Sequence, residues 1–173
     1  MNGRKSFDFD AYIDRIQNHP CFICEMVAGR VDGNHVIYQD NLFVAFLNKF
    51  PPLYGYVLVA PVAHKEQVTG DFTVEEYLAL QRAVYQVAEA VRRTVETERV
   101  YILSLGSQQG NRHVHWHIAP LPYGVPFKEQ QLAALGIENG FLDIPESECI
   151  DLAKRIRQNM ALRGEQNETT SPM

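Results

Sequence analysis

The stretch GNRHVHWHIAP, residues 110–120, places three of the chain's six histidines at alternate positions. Successive side chains of a strand point to opposite faces, and same-face neighbours lie about 7 Å apart. His113, His115 and His117 therefore share one face, while Val114, Trp116 and Ile118 share the other. The apolar set reads as a core face, so the pattern predicts a strand packed on one side and displaying imidazoles on the other. Groups carried on a strand are held more accurately than groups on a loop.

The segments around this strand supply what it packs against. RVYILSLG, from 99, reads as the preceding strand, and the polar loop SQQGN joins the two. TVEEYLALQRAVYQVAEAVRRTVE, from 73, has a capping-box pattern from Thr73 to Glu76 and apolar residues at Leu80, Val84, Val87 and Val91, which predicts a long amphipathic helix. YGYVLVAP, from 54, is apolar on both faces and so reads as a central strand. HVIYQD and LFVAFLN form a predicted hairpin turning at Asp40-Asn41. DFDAYIDRIQN, residues 8–18, predicts a short helix stopped at His19-Pro20, and CFIC follows as a tight turn. After Pro122 the pattern gives a loop, a helix near 128–135 and an amphipathic helix from about Glu146 to Leu162. His19 reads as a helix-end residue and His35 as an exposed one. The order of strands, one long helix, then more strands predicts an α+β fold with an antiparallel sheet of about five strands and a C-terminal helical extension.

Composition bounds the function. The chain has 173 residues, 46% hydrophobic and 21% charged, which fits one globular domain over residues 1–163. GEQNETTSPM, 164–173, has the composition of a disordered tail. A formal net charge of −5 lacks the basic surplus of nucleic-acid-polymer binders, yet leaves room for a small anion at a local site. No stretch has the length and apolarity of a signal peptide or a membrane span, so a cytoplasmic location is expected. Three cysteines, two of them close together, give no disulfide framework.

Three alternating imidazoles admit three readings: surface decoration, a metal cluster of all three, or one neutral imidazole acting as a nucleophile with its neighbours setting tautomer and charge. A straight strand supplies two ligands to one ion more readily than three. Cys21-x-x-Cys24 is read as a redox pair, as plain buried thiols or as half a zinc site. Redox pairs sit at a helix start after a strand, which this pattern does not show.

His-Val-His-Trp-His-Ile-Ala resembles the histidine triad motif. With CFIC, the segment AFLNKFPPLYGYVLVAPVAHKE and the long helix after it, residues 20–122 are similar to the histidine triad superfamily of nucleotide hydrolases and transferases. The resemblance implies a homodimer with a nucleotide site against the triad strand. His115 would attack the α-phosphate and form a nucleotidyl-histidine, and His117 would contact phosphate oxygens and assist the leaving group. Gln109, Gly110 and Asn111 would donate to the phosphate, Asn48 would bind the ribose, and Phe22, Phe43 and Phe46 are candidates to hold the base. In a zinc-binding subset the ligand positions correspond to Cys21, Cys24, His64 and His113, implying a structural zinc and no organic cofactor. This chain departs from the pattern at Gly55-Tyr56, where Gly-His is usual, at Ser104, and at APLP after the triad, where a basic residue is missing. Arg112 and Lys49 are placed to compensate. Asn48 and Trp116 favour substrates of the dinucleoside polyphosphate class, such as diadenosine tetraphosphate. The alternatives are a nucleoside phosphoramidase and a nucleotide-binding regulator with little turnover.

Overall fold

In the computed structural model, which describes residues 3–167, the chain runs β1 (Arg4–Lys5), α1 (Phe9–Asn18), α2 (Phe22–Val27), β2 (Val36–Gln39), β3 (Phe43–Leu47), β4 (Val57–Pro61), α3 (Val74–Thr94), β5 (Arg99–Ser104), β6 (Trp116–Leu121), α4 (Leu132–Leu135), β7 (Phe141–Leu142) and α5 (Glu146–Asn167). The main sheet has the order β2-β3-β4-β6-β5 and is antiparallel at every pairing. This is the expected α+β architecture. The expected hairpin is β2–β3, and its turn forms because the Asp40 carboxylate accepts the amides of Leu42 at 2.7 Å and Phe43 at 2.9 Å. Such side-chain-to-backbone bonds make Asp a turn residue.

β4 occupies the centre, as its two apolar faces predict. Val57 and Val59 join Val84, Val87 and Val91 of α3 and Val114, Trp116 and Ile118 in one buried cluster. On the opposite face Ala60 packs with Ile23 and Met26 of α2. The capping box at Thr73 is complete: its side chain accepts from the Glu76 amide while the Glu76 carboxylate accepts the Thr73 amide. α5 lies beside α3 and buries Leu152 and Ile156 in the same cluster. Arg157 on α5 donates to the carbonyls of Ile37 at 2.9 Å and Val36 at 2.6 Å, where the β2–β3 register shifts. A guanidinium thus covers carbonyls that the edge strand leaves unpaired.

Several expectations change. CFIC is not an isolated turn; Cys21 is the N-cap of α2, and the two thiols flank its first turn. The helix expected near 128–135 is broken into a 3-10 turn at Phe127–Glu129 and the short α4, separated by Gln131 at φ 57°. His35 is largely covered, with 16% of its side chain exposed and the Glu146 carboxylate 3.3 Å from its Nε2. α5 runs past Leu162 to Asn167, into the stretch whose composition marks it as a tail, because one glycine costs a helix only about 1 kcal/mol. Residues 168–173 of that expected tail lie outside the described residues. The small β1–β7 sheet was not legible in sequence, since each strand is two residues long.

Because Ile156 is fully buried between α5 and the sheet-packed helix, Ile156→Ala is expected to lower unfolding free energy by about 2–5 kcal/mol in urea titrations. A change below about 0.5 kcal/mol, the range of surface substitutions, would show that α5 is not part of the core.

Candidate functional site

β6 begins at Trp116, so His117 lies on the strand while His113 and His115 lie on the extended segment before it. The shift has a local cause. β4 ends in Pro61, which has no amide hydrogen to extend the ladder, and the β4–β6 pairing stops at Val59–Trp116. Other bonds hold the lead-in: the Val114 amide donates to the Lys65 carbonyl at 2.8 Å, and the Ser104 hydroxyl donates to the His115 carbonyl at 2.9 Å. The alternation itself survives. Val114 and Trp116 enter the core against α3, and all three histidines line one cleft on the opposite face.

Each imidazole has a tautomer set by its neighbour. His115 Nδ1 lies 2.7 Å from the His113 carbonyl, so it must donate, and its Nε2 keeps the free lone pair. His113 Nε2 donates in the same way to the Pro61 carbonyl at 2.9 Å, which leaves Nδ1 as the lone-pair nitrogen. The Tyr56 hydroxyl lies 3.0 Å from His117 Nδ1. Burial raises the Tyr56 pKa above the usual phenol range, so the phenol keeps its proton and donates it, leaving the His117 proton on Nε2. That Nε2 is buried and makes no well-aligned hydrogen bond, while the Leu105 backbone beside the ring acts to raise its pKa. Burial also lowers the pKa of His115, and burial with His115 alongside pushes that of His117 down to about 3. Both rings are neutral at neutral pH.

The four residues expected to bind metal converge. The ligating atoms of Cys21, Cys24, His64 and His113 all lie within 4.8 Å of one another. Cys24 Sγ is 3.3 Å from His64 Nδ1 and 3.6 Å from His113 Nδ1, and Cys21 Sγ is 3.4 Å from His113 Nδ1. The outer nitrogens are held by oxygen: His113 by the Pro61 carbonyl and His64 Nε2 by Glu66 Oε1 at 3.2 Å. Histidines that bind metals are oriented by this kind of outer acceptor. Burial and the adjacent Cys21 push the Cys24 thiol up to about 11.

The cleft has a volume of about 950 Å³. Asn48 lines it, its side-chain oxygen accepting the Phe50 amide at 3.0 Å. Phe22, Phe46, Lys49, Asn111 and Arg112 line it too. Gln109 and Gly110 do not, and Phe43 instead stacks on Tyr38. The Gly110 amide is also committed, to the Ser107 carbonyl at 3.0 Å. Trp116 is turned into the core, edge-on to Phe72 and Tyr77.

Two parts of the site were not read from the sequence. In sequence Tyr56 marks only a departure from the Gly-His pattern, yet its hydroxyl is the partner of His117. Its position depends on Gly55, whose φ of 81° and close approach to Val95 exclude a side chain. α1 is the other. Ile16 packs where a Gly110 side chain would stand, and the Asn111 amide donates to the Tyr12 hydroxyl, so the helix sits directly on the loop before the triad.

Residues 30–122 match the family described as the HIT domain. An uncharacterised HIT-like protein of Saccharolobus solfataricus is 33% identical over 103 residues, covering 58% of this chain and 73% of that protein. The protein named hit of Bacillus subtilis is 31% identical over 103 residues, covering 58% and 70%. Among solved structures, a hypothetical histidine triad nucleotide-binding protein from Sulfolobus tokodaii superposes with a TM-score of 0.70 at 20% identity, over 88% of this chain and 100% of that one. A zinc-bound histidine triad family protein from Mycobacterium smegmatis gives a TM-score of 0.65 at 23% identity, over 84% and 96%. The matched segment contains His64, Tyr56 and the whole triad, and on this sequence and on this fold the chain belongs to the HIT domain family.

Proposed function

We propose that the chain is a nucleotide hydrolase or transferase that cleaves its substrate at the α-phosphate through a covalent intermediate on His115. The bond from His115 Nδ1 to the His113 carbonyl carries this reading, because it frees the Nε2 lone pair of a neutral ring beside the cleft. That lone pair forms a bond to the α-phosphorus, and the bond to the leaving group breaks with its electrons departing on the leaving atom. Water then attacks phosphorus, the P–N bond breaks, and its electrons return to the imidazole. The proton lost by water goes to solvent, and a different acceptor in place of water gives transfer.

Charge in such a transition state spreads over the phosphoryl oxygens, so oriented donors supply much of the rate. His117 offers its Nε2–H, Arg112 and Lys49 offer charge, and Asn111 offers a side-chain amide. Asn48 is assigned to the ribose, with Phe22 and Phe46 toward the base. Gln109 and Gly110 do not line the cleft and the Gly110 amide is taken by the Ser107 carbonyl, so of this loop only Asn111 is assigned to the phosphate. The nucleotide-binding name of the Sulfolobus protein supports the ligand class. Dinucleoside polyphosphates and nucleoside phosphoramidates share this step. Trp116, which favours the first class in sequence, does not line the cleft, so it touches neither leaving group. A homodimer is implied by the family, and the free edge of β5, with Ile102 and Leu105 exposed, is the face that supports it.

We further assign a structural zinc to Cys21, Cys24, His64 and His113. Zinc bonds of about 2.0–2.3 Å give tetrahedral ligand edges of about 3.3–3.8 Å, and the three N–S separations of 3.3, 3.4 and 3.6 Å fall in that range. The zinc-bound title of the Mycobacterium protein supports the same metal. Held by Cys21, Cys24, His64 and His113, the ion would be structural and would tie α2 to His113.

His115→Asn is expected to reduce turnover of diadenosine tetraphosphate and of an adenosine phosphoramidate by about 10⁴-fold or more. Wild-type protein quenched during turnover should carry a phosphorus–histidine adduct by mass spectrometry. Wild-type-like turnover of the variant would eliminate the mechanism, and nucleotide affinity without turnover or adduct would favour a regulator. Tyr56→Phe is expected to lower kcat about tenfold, or about 1.4 kcal/mol of barrier, with little change in KM. Equal kcat would remove Tyr56 from the site. Protein purified without chelator is expected to contain about one zinc per chain, and Cys24→Ser to lower both zinc content and Tm. Metal-free protein with the native Tm would refute the zinc assignment.

A further inference from the structure

The sequence shows no helix start at Cys21-x-x-Cys24, yet the structure does: Cys21 is the N-cap of α2 and Cys24 lies in its first turn. Residues three apart on a helix are neighbours. The two sulfurs lie within 4.8 Å of each other, both residues are partly exposed, and neither is in a disulfide. Cys21 lines the cleft, so a small oxidant reaches it through the same opening as a substrate. The third cysteine is no partner for them. Cys149 is on α5, packed against the core cluster on the α3 face of the sheet, whereas Cys21 packs with Ile23 and Met26 on the other face.

Both sulfurs face the same ring. His113 Nδ1 is 3.4 Å from Cys21 Sγ and 3.6 Å from Cys24 Sγ, and the carbonyl of His113 is the acceptor that fixes the His115 tautomer. Joining the sulfurs to each other at about 2.0 Å turns them away from His113 and takes both from the proposed metal. His64 and His113 alone then remain, half of the closed four-ligand set that a structural zinc requires. The His113 ring keeps one partner, the Pro61 carbonyl at 2.9 Å. The core on the α3 face contains neither cysteine of the pair, so the fold survives the change.

We infer that Cys21 and Cys24 are a peroxide-sensitive pair whose disulfide releases the zinc, loosens His113 and slows the reaction at His115. This rests on the assignment of zinc to the cluster and of His115 as the nucleophile. One sulfur, as thiolate, attacks a peroxide oxygen; the O–O bond breaks, hydroxide leaves and a sulfenic acid forms. The second sulfur attacks the sulfenic sulfur, the S–O bond breaks, a second hydroxide leaves and the disulfide closes. The sulfurs give up two electrons, peroxide accepts them, and both hydroxides take protons from solvent to become water. A dithiol reductant reverses the oxidation by thiol–disulfide exchange. A redox change at one pair of side chains thereby sets the state of the neighbouring site.

The test treats the full chain with hydrogen peroxide, in the wild type and in Cys149→Ser, which leaves only the pair. Zinc release is followed with a chromophoric chelator and the disulfide by non-reducing peptide mapping, with turnover and circular dichroism measured on the same samples. Mapping the wild type locates the oxidation without relying on the variant. The expected result is a Cys21–Cys24 disulfide, release of about one zinc per chain and a fall in kcat of at least about tenfold, with helix content retained. Dithiothreitol and added zinc are expected to restore all three. Free thiols and zinc that persist in peroxide, or a disulfide with unchanged kcat, would overturn the inference and leave the zinc and His115 readings intact. Loss of helix on oxidation, or activity that reductant and zinc do not restore, would mark damage rather than a switch and overturn it as well. The two underlying readings are checked before peroxide is added. Reduced protein without zinc removes the zinc assignment, reduced protein without turnover removes the His115 reading, and the inference falls with either.

Discussion

The 2.7 Å hydrogen bond from His115 Nδ1 to the carbonyl of His113 joins two residues of one extended segment, and the site is built around it. A neutral imidazole can carry its proton on either nitrogen, and only one choice leaves Nε2 able to attack. The carbonyl makes that choice, and it is useful only if His113 is itself fixed. Its side chain is held between the Pro61 carbonyl and the two thiols, 3.4 and 3.6 Å away. His113 therefore belongs to two sites at once: its ring to the cysteine cluster, its backbone to the proposed nucleophile. Disturbing the cluster would reach the proposed nucleophile through one residue.

The sheet makes this rigidity possible by having two different faces. On one, α3 and α5 press valines, Trp116 and Ile118 into a dry core that sets where β6 lies. On the other, α2 covers only part of β3 and β4, and the rest is the floor of the cleft. Burial on the open side is enough to lower the pKa of His115 and His117 without closing the cleft to a ligand. Tyr56 completes the arrangement by orienting His117 from β4's approach, a task for which a phenol is suited because burial keeps it protonated.

The elements outside the HIT segment divide by role. α5 adds core, through Leu152 and Ile156, and protects the β2 edge with Arg157. α1 has no fully buried residue, α4 packs Leu135 against the Leu53–Tyr56–Ala119 cluster, and both border the cleft.

Periodicity made much of this legible in the sequence. Alternation at 113–118 separated a core face from an imidazole face, the unbroken apolar run at 57–61 marked the central strand, and the Thr73–Glu76 pair marked the start of α3. These are local rules, each read from neighbours along the chain. The meeting of Cys21 and Cys24 with His64 and His113 was available only through family resemblance, because no local rule joins residues so far apart, and the proposal of Asn48 for the ribose has the same source. Tertiary structure decided the rest: that Pro61 ends the ladder before the first two histidines, that Tyr56 reaches His117, that Trp116 turns away from the cleft, and that α1 lands on the loop at Gly110. Each depends on where one segment's side chains meet another's backbone, and that distance is set by the packing of the whole sheet rather than by any stretch of residues within it.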